Sequence, residues 1–257
     1  MTAEAKASFR QRLQAGEPLV GTMLKTGTSQ AAEILANVGF DFAVIDQEHS
    51  PLDRNSTDVI LLAGRAVGMP ILVRVPTPEG ILPALDCGAT GVVVPHVSNV
   101  AQAKQVSALC RYRGGKRGYA TSTRAGGYTA IPMSRHVPEA DAMVTMIAQI
   151  EDLSAVEEVD AIAAVEGVDS LFIGRNDLAC AFGDDTVESP SVRRAVERIA
   201  EATRAAHKPL GVFVAGAAEI AWLKGLGATM FIYSSDHGLM RQGAIKALAE
   251  TRAAIRG

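Results

Sequence analysis

The stretch FAVIDQEH at residues 42–49 is a short apolar run that ends in four polar residues. The same design recurs along the chain: Arg74 follows the apolar run 71–73, Gln149 and Glu151 end the run 144–150, and GRND at 174–177 follows 171–173. Short continuous apolar runs are typical of strands that are buried on both faces of a parallel sheet. In a barrel of such strands the carboxyl ends meet in one pocket, so the polar ends indicate an active site.

Apolar runs alternate with amphipathic segments along the whole chain, which is the pattern of parallel strands joined by crossover helices. An open doubly wound sheet is the alternative, but the first loop lacks the Gly-x-Gly-x-x-Gly pattern of that fold, and eight strands suit a closed barrel better. Eight strands are predicted, at residues 20–24, 42–45, 71–75, 91–94, 143–150, 170–173, 210–214 and 230–233. The helices predicted between them include residues 30–38, 99–111, 154–165, 190–207 and 217–226.

Composition predicts one α/β domain over residues 1–257. Hydrophobic residues make up 48% of the chain, which is enough for one large core, and no linker marks a second domain. The net charge is −3 and no basic surface interleaves with aromatic residues, so we expect no nucleic-acid partner. Residues 1–16 form a charged helical pattern anchored by Phe9 and Leu13, unlike a signal peptide, and no apolar run is long enough to span a membrane. We expect a cytoplasmic protein.

The one long irregular segment, residues 112–135, is rich in glycine and arginine. A loop of this length in a compact barrel usually has a function. The alternative is a solvated insertion, because the composition of a loop is weak evidence on its own.

Glu151 and Asp177 are the candidate metal ligands. They lie just beyond consecutive predicted strands, so their carboxylates can meet at one barrel mouth. Two carboxylates with water molecules suit a hard divalent cation such as magnesium or manganese. The alternative is helix capping, in which Asp177 caps the turn 176–179 and Asp152 caps a helix that begins near Ser154. Spacing alone leaves both interpretations open.

Arg74 leaves a core strand at the mouth, where an unpaired guanidinium would be costly to bury. Its anionic partner is either a structural carboxylate or a substrate oxygen, and its planar fork can bind either with two hydrogen bonds.

His49 is predicted in a loop over the pocket, where it could carry a proton. It is a better candidate than His136, His207 or His237. Asp86 lies near the end of a short predicted helix, where the helix dipole disfavours its charge and something else should compensate it.

Nucleophilic catalysis finds no support in the chain. There is no Gly-x-Ser-x-Gly motif, and no cysteine adjoins a histidine in the sequence. The three cysteines have neither metal-site nor redox spacing and are predicted to be buried free thiols: Cys87, Cys110 and Cys180. Schiff-base chemistry is also disfavoured, because the strand ends at Glu151 and Asp177 carry acids where an amine would be needed.

Together these motifs resemble the class II pyruvate aldolases of the HpcH/HpaI family, over nearly the whole chain. The resemblance depends on GFDF at 39–42 leading into DQEH at 46–49, VRV at 73–75, LDCGA at 85–89, VP at 94–95, RG at 117–118, QIE at 149–151, VEGVD at 165–169 and FIGRNDL at 172–178. It implies a single (β/α)8 TIM barrel of the phosphoenolpyruvate/pyruvate-binding type. It also implies reversible cleavage of a 4-hydroxy-2-oxo acid, either a 2-keto-3-deoxy sugar acid or a 4-hydroxy-2-oxo diacid, to pyruvate and an aldehyde.

The resemblance assigns a role to each candidate. Glu151 and Asp177 would bind a divalent metal (Mg²⁺, Mn²⁺ or Co²⁺) that chelates pyruvate, and Arg74 would stabilise the enolate. His49 would accept the proton, and Asp86 would raise the basicity of His49. The substrate would contact four residues: Gln149, Gly174, Asn176 and Asp177.

Two residues depart from the family pattern, because many relatives have glycine at the position of Gln47 and proline at that of Arg175. We hypothesise that Arg175, or an arginine of segment 112–135, binds an acidic group on the acceptor aldehyde.

The alternatives to an aldolase are a citrate-forming or coenzyme A-dependent acyl-transfer enzyme of the same superfamily and a catalytically silent barrel. The resemblance also implies a hexamer, a trimer of dimers, in which the helix after Asp236 packs on a neighbour through Leu239, Ile245, Leu248 and Ile255.

Overall fold

The computed structural model describes residues 7–256, and their strands form a closed barrel in which every neighbouring pair is parallel. Each strand pairs with its neighbours in the sequence, and the first pairs with the last, so the predicted (β/α)8 barrel is confirmed. The strands are β1 Leu19–Leu24, β2 Phe42–Asp46, β3 Ile71–Arg74, β4 Gly91–Val94, β5 Thr145–Ile150, β6 Ser170–Ile173, β7 Leu210–Val214 and β8 Ala228–Ser235. That residues 1–257 form one domain stays a prediction.

Helices surround the barrel and connect its strands. They are α1 Phe9–Gln14, α2 Ser29–Val38, α3 Arg54–Val67, α4 Ile81–Asp86, α5 Val100–Leu109, α6 Met133–Met143, α7 Leu153–Glu157, α8 Val159–Ala163, α9 Arg175–Phe182, α10 Pro190–Ala205, α11 Ile220–Gly225 and α12 Asp236–Arg256. Two short 3₁₀ turns, Pro78–Gly80 and Ala217–Glu219, lead into α4 and α11. Within residues 7–256, no helix combines the length and the apolar character that crossing a bilayer requires.

Several predicted boundaries were wrong. The fifth strand begins at Thr145 rather than at residue 143, because Met143 is the last residue of α6. The helix predicted at 154–165 is two helices, α7 and α8, which part at Glu158. The irregular segment predicted at 112–135 ends at Pro132, and Arg135 lies inside α6.

The inside of the barrel is filled by alternate strand residues together with α1. Phe9 and Leu13 of α1 are buried among inward residues of the strands, and the rings of Phe9 and Phe42 lie 5.2 Å apart. The capping box of Ser8 and Gln11 starts this helix, because each side chain accepts a hydrogen bond from the other residue's backbone. The predicted anchors are therefore confirmed, while residues 1–6 of that predicted helix lie outside the described residues.

The same alternation explains the polar strand ends. Val44, Leu72 and Ile147 point into the barrel, and successive side chains of a strand face opposite sides. The residue two positions further along β2, β3 and β5 therefore also points inward. The same holds for the residue that directly follows β6, because it comes two positions after the inward Phe172. These next inward residues are Asp46, Arg74, Gln149 and Gly174. The apolar filling of the barrel is thus replaced by a polar layer at the carboxyl end of the strands.

The prediction for the cysteines holds for two of the three. Cys87 and Cys110 are free and buried, whereas Cys180 is exposed. Cys180 lies on α9, whose buried residues are Arg175, Leu178 and Ala179, so it falls on the opposite, solvent-facing side of that helix.

Candidate active site

A cavity of about 390 Å³ opens at the carboxyl ends of the strands. Six of the predicted site residues line it: His49, Arg74, Gln149, Gly174, Asn176 and Asp177. The cavity is also lined by residues that the sequence did not single out for this site, among them Met23, Lys25, Phe172, Phe213 and Ser235. The strand ends that the sequence marked therefore do meet in one pocket.

Arg74 is held by acids from the neighbouring strand. Asp46 is its register partner across the β2–β3 pair. Arg74 Nε donates to Asp46 Oδ1 at 3.0 Å, and Arg74 Nη2 lies 2.8 Å from the same oxygen. Its Nε also lies 3.2 Å from Glu48 Oε2. Lys25 Nζ lies 2.8 Å from the other oxygen of Asp46. Of the two partners that the sequence left open for Arg74, the structural carboxylate is present.

Asp46 is fully buried, yet it stays ionised. Burial alone would raise its pKa. The charge of Arg74 and the hydrogen bonds from Lys25, Arg74 and the backbone of His49 more than offset that effect, and the pKa of Asp46 lies below its ordinary value. A carboxylate held in this way keeps the guanidinium of Arg74 fixed at the bottom of the pocket.

Glu151 is the buried acid of the site, at 2% exposure. Its Oε1 accepts a hydrogen bond from the backbone N–H of His96 at 2.8 Å, and its Oε2 accepts one from the Gln149 amide. It packs directly on Gly174, where a Cβ atom would lie 2.3 Å from Glu151 Oε2. Burial, with a smaller contribution from the charge of Asp177, raises the pKa of Glu151 to about 7, although the hydrogen bonds from Gln149 and the His96 backbone and the His96 ring lower it.

Asp177 and Asn176 lie in the first turn of α9 and face the cavity. The positive end of the helix dipole favours a carboxylate at this place. The capping alternative for Asp177 is wrong, because Gly174 occupies the N-cap. Asp152 does stand at the N-cap of α7, but its side chain makes no capping hydrogen bond and lies 3.2 Å from His96 Nδ1 instead.

Sequence reasoning missed His96 and gave no role to Glu48. His96 comes two residues after β4, so the same strand-end argument could have found it. Its Nδ1 lies 3.5 Å from Glu151 Oε1, and its Nε2 lies 3.8 Å from Glu48 Oε1. Burial lowers the pKa of His96, but Glu151, Asp152 and Glu48 raise it by more. Glu48, His96 and Glu151 form a cluster that could hold a metal ion.

His49 stands in the loop after β2, as predicted, with a side chain that is 57% exposed. Its backbone N–H donates to Asp46 Oδ1 at 3.2 Å, and its ring Nε2 lies 3.7 Å from Glu48 Oε2. The imidazole is therefore at the rim of the pocket with access to solvent. This position suits a group that exchanges protons with a bound substrate.

Asp86 is not brought to His49 within the chain. It is the last residue of α4, and its Oδ1 lies 4.0 Å from Arg117 Nη2. Burial raises the pKa of Asp86, while Arg117 and other cations lower it. The compensating group that we expected for Asp86 is thus Arg117 rather than a histidine, and its role toward His49 stays a prediction.

The hypothesis for Arg175 stays a prediction. Its side chain is 6% exposed, its Nη1 lies 2.7 Å from Glu219 Oε2, and its Nη2 donates to the Phe213 carbonyl at 2.7 Å. Its charge is therefore already paired, although Arg175 also lines the cavity. None of the arginines in segment 112–135 lines the cavity, and Arg124 and Arg135 pair with Asp58 and Glu139.

The donor set of the pocket fits a divalent cation. Burial makes the carboxyl group of Glu151 resist ionisation, and the charge of Asp177 adds to that effect, so a cation bound beside the two acids would offset both. Gln149 Oε1 is buried and has no hydrogen-bond partner among residues 7–256, so one more oxygen is free on the same side. Carboxylate, amide and imidazole groups are the ligands that divalent metals use in proteins.

Comparisons with known proteins agree with this site. The HpcH/HpaI aldolase/citrate lyase family model matches residues 21–242. The 5-keto-4-deoxy-D-glucarate aldolase of Enterobacter sp. (strain 638) is 35% identical over 242 residues, 93% of this chain and 94% of that protein. The hydroxypyruvate/pyruvate aldolase of Paraburkholderia phytofirmans (strain DSM 17436 / LMG 22146 / PsJN) is 34% identical over 255 residues, 95% of this chain and 97% of that protein.

A solved structure extends the likeness to three dimensions. The HpcH/HpaI aldolase/citrate lyase family protein from Burkholderia cenocepacia J2315 superimposes with a TM-score of 0.89 at 34% identity, over 95% of this chain and 98% of that one. The family match and the aldolases among the relatives place the chain in the carbon–carbon lyase class of barrel enzymes. The chain belongs to the HpcH/HpaI aldolase/citrate lyase family, and its curated relatives confirm the aldolase interpretation.

Proposed function

We propose that this protein is a metal-dependent aldolase that reversibly cleaves a 4-hydroxy-2-oxo acid to pyruvate and an aldehyde. The observation that carries the proposal is the single cavity in which Arg74, Asp177 and Gln149 face one another above the barrel core, with Glu151 directly behind Gly174. The family membership of the chain supports the same reaction class.

The cation would be held by Glu151 and Asp177, with Mg²⁺, Mn²⁺ or Co²⁺ as candidates. Bound there, it would supply Lewis acidity that draws negative charge onto the ketone oxygen of a keto acid. The pKa of Glu151 near 7 supports this assignment, because the buried carboxyl group needs added positive charge to ionise fully at neutral pH.

The protein residues supply the remaining steps. In the cleavage direction His49 accepts the proton of the C4 hydroxyl group, the C3–C4 bond breaks, and the electron pair moves into the pyruvate enolate. Arg74 stabilises the oxyanion, because Asp46 and Glu48 hold its guanidinium in place before the reaction begins. The protonated His49 then returns its proton to the enolate carbon, which gives pyruvate and restores the base. Gln149 and Asn176 orient the keto acid.

The substrate class that we favour is a keto-deoxy sugar acid. Support comes from the relative named 5-keto-4-deoxy-D-glucarate aldolase. Lys25 and Arg175 both line the cavity and each is paired with a carboxylate, but Lys25 is the more exposed of the two and is our first candidate for contact with an acidic group of the substrate.

Exchange of the methyl protons of pyruvate with deuterium, followed by NMR, tests the aldolase directly. We expect metal-dependent exchange without any thioester, and retro-aldol release of pyruvate from a keto-deoxy sugar acid. An acyl-transfer enzyme would instead need an acetyl donor before any exchange occurs. Absence of exchange with magnesium, manganese and cobalt would contradict the proposal.

We also propose that the protein works in the cytoplasm as a hexamer, a trimer of dimers. The support lies in α12, whose Asp236 is its one buried residue among those described and whose apolar side chains Met240, Ile245, Leu248 and Ile255 are exposed. A second copy that packed on this face would remove the apolar side chains from water. Sedimentation equilibrium of the purified protein tests this, and a monomer would contradict it.

A further inference from the structure

We propose that Arg175 is a positioning residue that holds one wall of the cavity in place and so determines which acceptor aldehydes bind. We call residues 213–219 the β7 wall, because they comprise the end of β7 and its connection to α11. Phe213, Ala215 and Glu219 of this wall line the cavity, as does Arg175 itself. The inference rests on the proposed aldolase function and adds a residue that sets its specificity for the aldehyde.

The guanidinium of Arg175 contacts the β7 wall at two points. Its Nη1 lies 2.7 Å from Glu219 Oε2, and its Nη2 donates to the Phe213 carbonyl at 2.7 Å. Glu219 Oε1 accepts a hydrogen bond from the backbone N–H of Ala215 at 2.6 Å, so one carboxylate joins both ends of the connection to Arg175. The side chains of Arg175 and Glu219 are 6% and 16% exposed, so solvent screens this pair little.

Glu219 is ionised despite its partial burial. Burial raises its pKa, but Arg175 and the backbone N–H groups of Ala215 and Gly216 lower it by more, and the pKa lies below its ordinary value. The wall is therefore held by a charge-assisted contact, which is stronger than a contact between neutral groups.

A second, weaker route links Arg175 to the helix that follows the wall. Glu188 Oε1 lies 3.9 Å from Arg175 Nη1, and Glu188 Oε2 pairs with Arg193 Nη2. The guanidinium of Arg193 lies over the ring of Trp222 in α11, 4.8 Å from its centroid. The strand before the connection and the helix after it are thus both tied to the residue that begins α9.

The connection from β7 to α11 has no apolar anchor of its own. Val214, the last residue of β7, is buried, but none of residues 215–219 is. Ala215, Ala217 and Ala218 are exposed. A segment with few buried apolar contacts opens easily, so the contact with Arg175 is the main restraint on this part of the wall.

The place of the β7 wall in the barrel puts it beside the acceptor. The proposed keto-acid contacts come from β3, β5 and the residues after β6, whereas the proposed base His49 follows β2. Most of the remaining cavity lining belongs to β7, β8 and β1, which close the barrel between these two groups. The fragment beyond C4 of the substrate, which leaves as the aldehyde, therefore faces this arc, where Phe213 and Ala215 offer it an apolar surface.

Arg175→Met removes both contacts and keeps a side chain of similar length. We expect KM for butanal in aldol addition to pyruvate to rise about tenfold, the effect of losing a hydrogen bond to a charged group. Deuterium exchange of the pyruvate methyl protons needs no aldehyde and should change far less. Glu219→Gln should reproduce the effect, because its amide still accepts from Ala215 but no longer attracts the guanidinium. Arg175→Lys should lie between Arg175→Met and the wild type, because the planar fork is lost.

Amide hydrogen exchange followed by mass spectrometry measures the wall without any catalysis. Exchange in the peptide 213–222 should be about tenfold faster in Arg175→Met than in the wild type. Arg198→Met is the matched control, since Arg198 of α10 also pairs with an acid of another helix, Asp160, but does not line the cavity. It should keep the wild-type kinetics and the wild-type exchange.

Comparison of succinic semialdehyde with butanal separates this role from direct binding of an acidic group. A wall held by Arg175 affects both aldehydes, in Arg175→Met and in Glu219→Gln alike. If only succinic semialdehyde lost affinity and Glu219→Gln bound it normally, Arg175 would contact the substrate itself and the proposal would be wrong.

Two other results would overturn the assignment: unchanged hydrogen exchange of the wall in both variants, or a loss of pyruvate exchange as large as the loss of affinity for butanal. Thermal melting checks that each variant folds, and Arg175→Lys keeps the test decisive if methionine destabilises the first turn of α9. Failure of the aldolase proposal looks different. In that case the wild type gives no deuterium exchange of pyruvate, while the wall still exchanges faster in Arg175→Met.

Discussion

Replacing Gly174 by alanine tests how closely Glu151 must be held. The new Cβ atom would lie 2.3 Å from Glu151 Oε2 and 2.6 Å from its Cβ, whereas ordinary contact begins at 3.4 Å. The carboxylate must therefore retreat by about 1 Å, and the stem of the side chain must move with it. Gly174 has φ of −91°, so the substitution strains no backbone angle, and the effect is one of space alone.

A displacement of about 1 Å in a catalytic group can cost about 100-fold in rate, or about 2.7 kcal/mol in the barrier. We expect kcat/KM for retro-aldol cleavage to fall by this factor in Gly174→Ala, together with weaker manganese binding. Overpacking should also lower the free energy of unfolding by about 1–3 kcal/mol. Steady-state kinetics with pyruvate detection, metal titration and thermal melting measure the three effects.

Gly225→Ala is the matched control. Gly225 ends α11, and a Cβ atom there would meet nothing within 4 Å. The variant should keep full activity and be at least as stable as the wild type, since alanine lowers the entropy of the unfolded chain. If Gly174→Ala kept kcat/KM within about threefold of the wild type, the 1 Å displacement would not matter to the rate and the placement of Glu151 in the reaction would be refuted.

Three further predictions address the ligands and the oxyanion. Glu151→Gln and Asp177→Asn should each nearly abolish turnover, and full rates at limiting metal in either variant would show that it is not a ligand. Arg74→Ala should raise the barrier by about 2.7–4 kcal/mol, as for the loss of one oxyanion donor, and Arg74→Lys should recover only part, because the fork is lost; equal rates for the two variants would contradict this. Because the pKa of Glu151 is about 7, metal binding should release a proton from it at pH 6 and almost none at pH 8. Calorimetry in buffers of different ionisation enthalpy counts these protons, and an equal count at both pH values would argue against this ligand.

The sequence was sufficient for the barrel because its strands are continuous apolar runs with clear polar ends. The register between the strands, in contrast, could not be predicted from these runs. Asp46 and Arg74 are partners across β2 and β3, yet nothing in either strand alone states which residues align. The partner of Arg74 therefore stayed open until the structure showed it. The break between α7 and α8 at Glu158 was hidden for a similar reason, because no glycine or proline marks it.

The residues that sequence reasoning missed act through geometry that the chain does not reveal locally. His96 follows an apolar strand by two residues, but its turn has φ of 52°, and this backbone turn brings its N–H to Glu151. Arg175 is the opposite case, a residue that the sequence marks clearly but whose contacts it does not reveal. It stands in a stretch of polar residues at a strand end, and only the three-dimensional structure shows that Glu219 and the Phe213 carbonyl use its charge.

The balance of charge in the pocket explains why the cation is needed for binding as well as for chemistry. Lys25 and Arg74 are matched by Asp46 and Glu48, and Arg175 is matched by Glu219. Among residues 7–256 no lysine or arginine pairs with Glu151 or Asp177, and the two carboxylates, once both are ionised, carry a charge equal and opposite to that of one divalent ion. Without that ion the charge of Asp177, and of Glu151 where it is ionised, would repel an incoming keto acid, which is itself an anion. The pocket would then disfavour binding of the keto acid next to the guanidinium of Arg74.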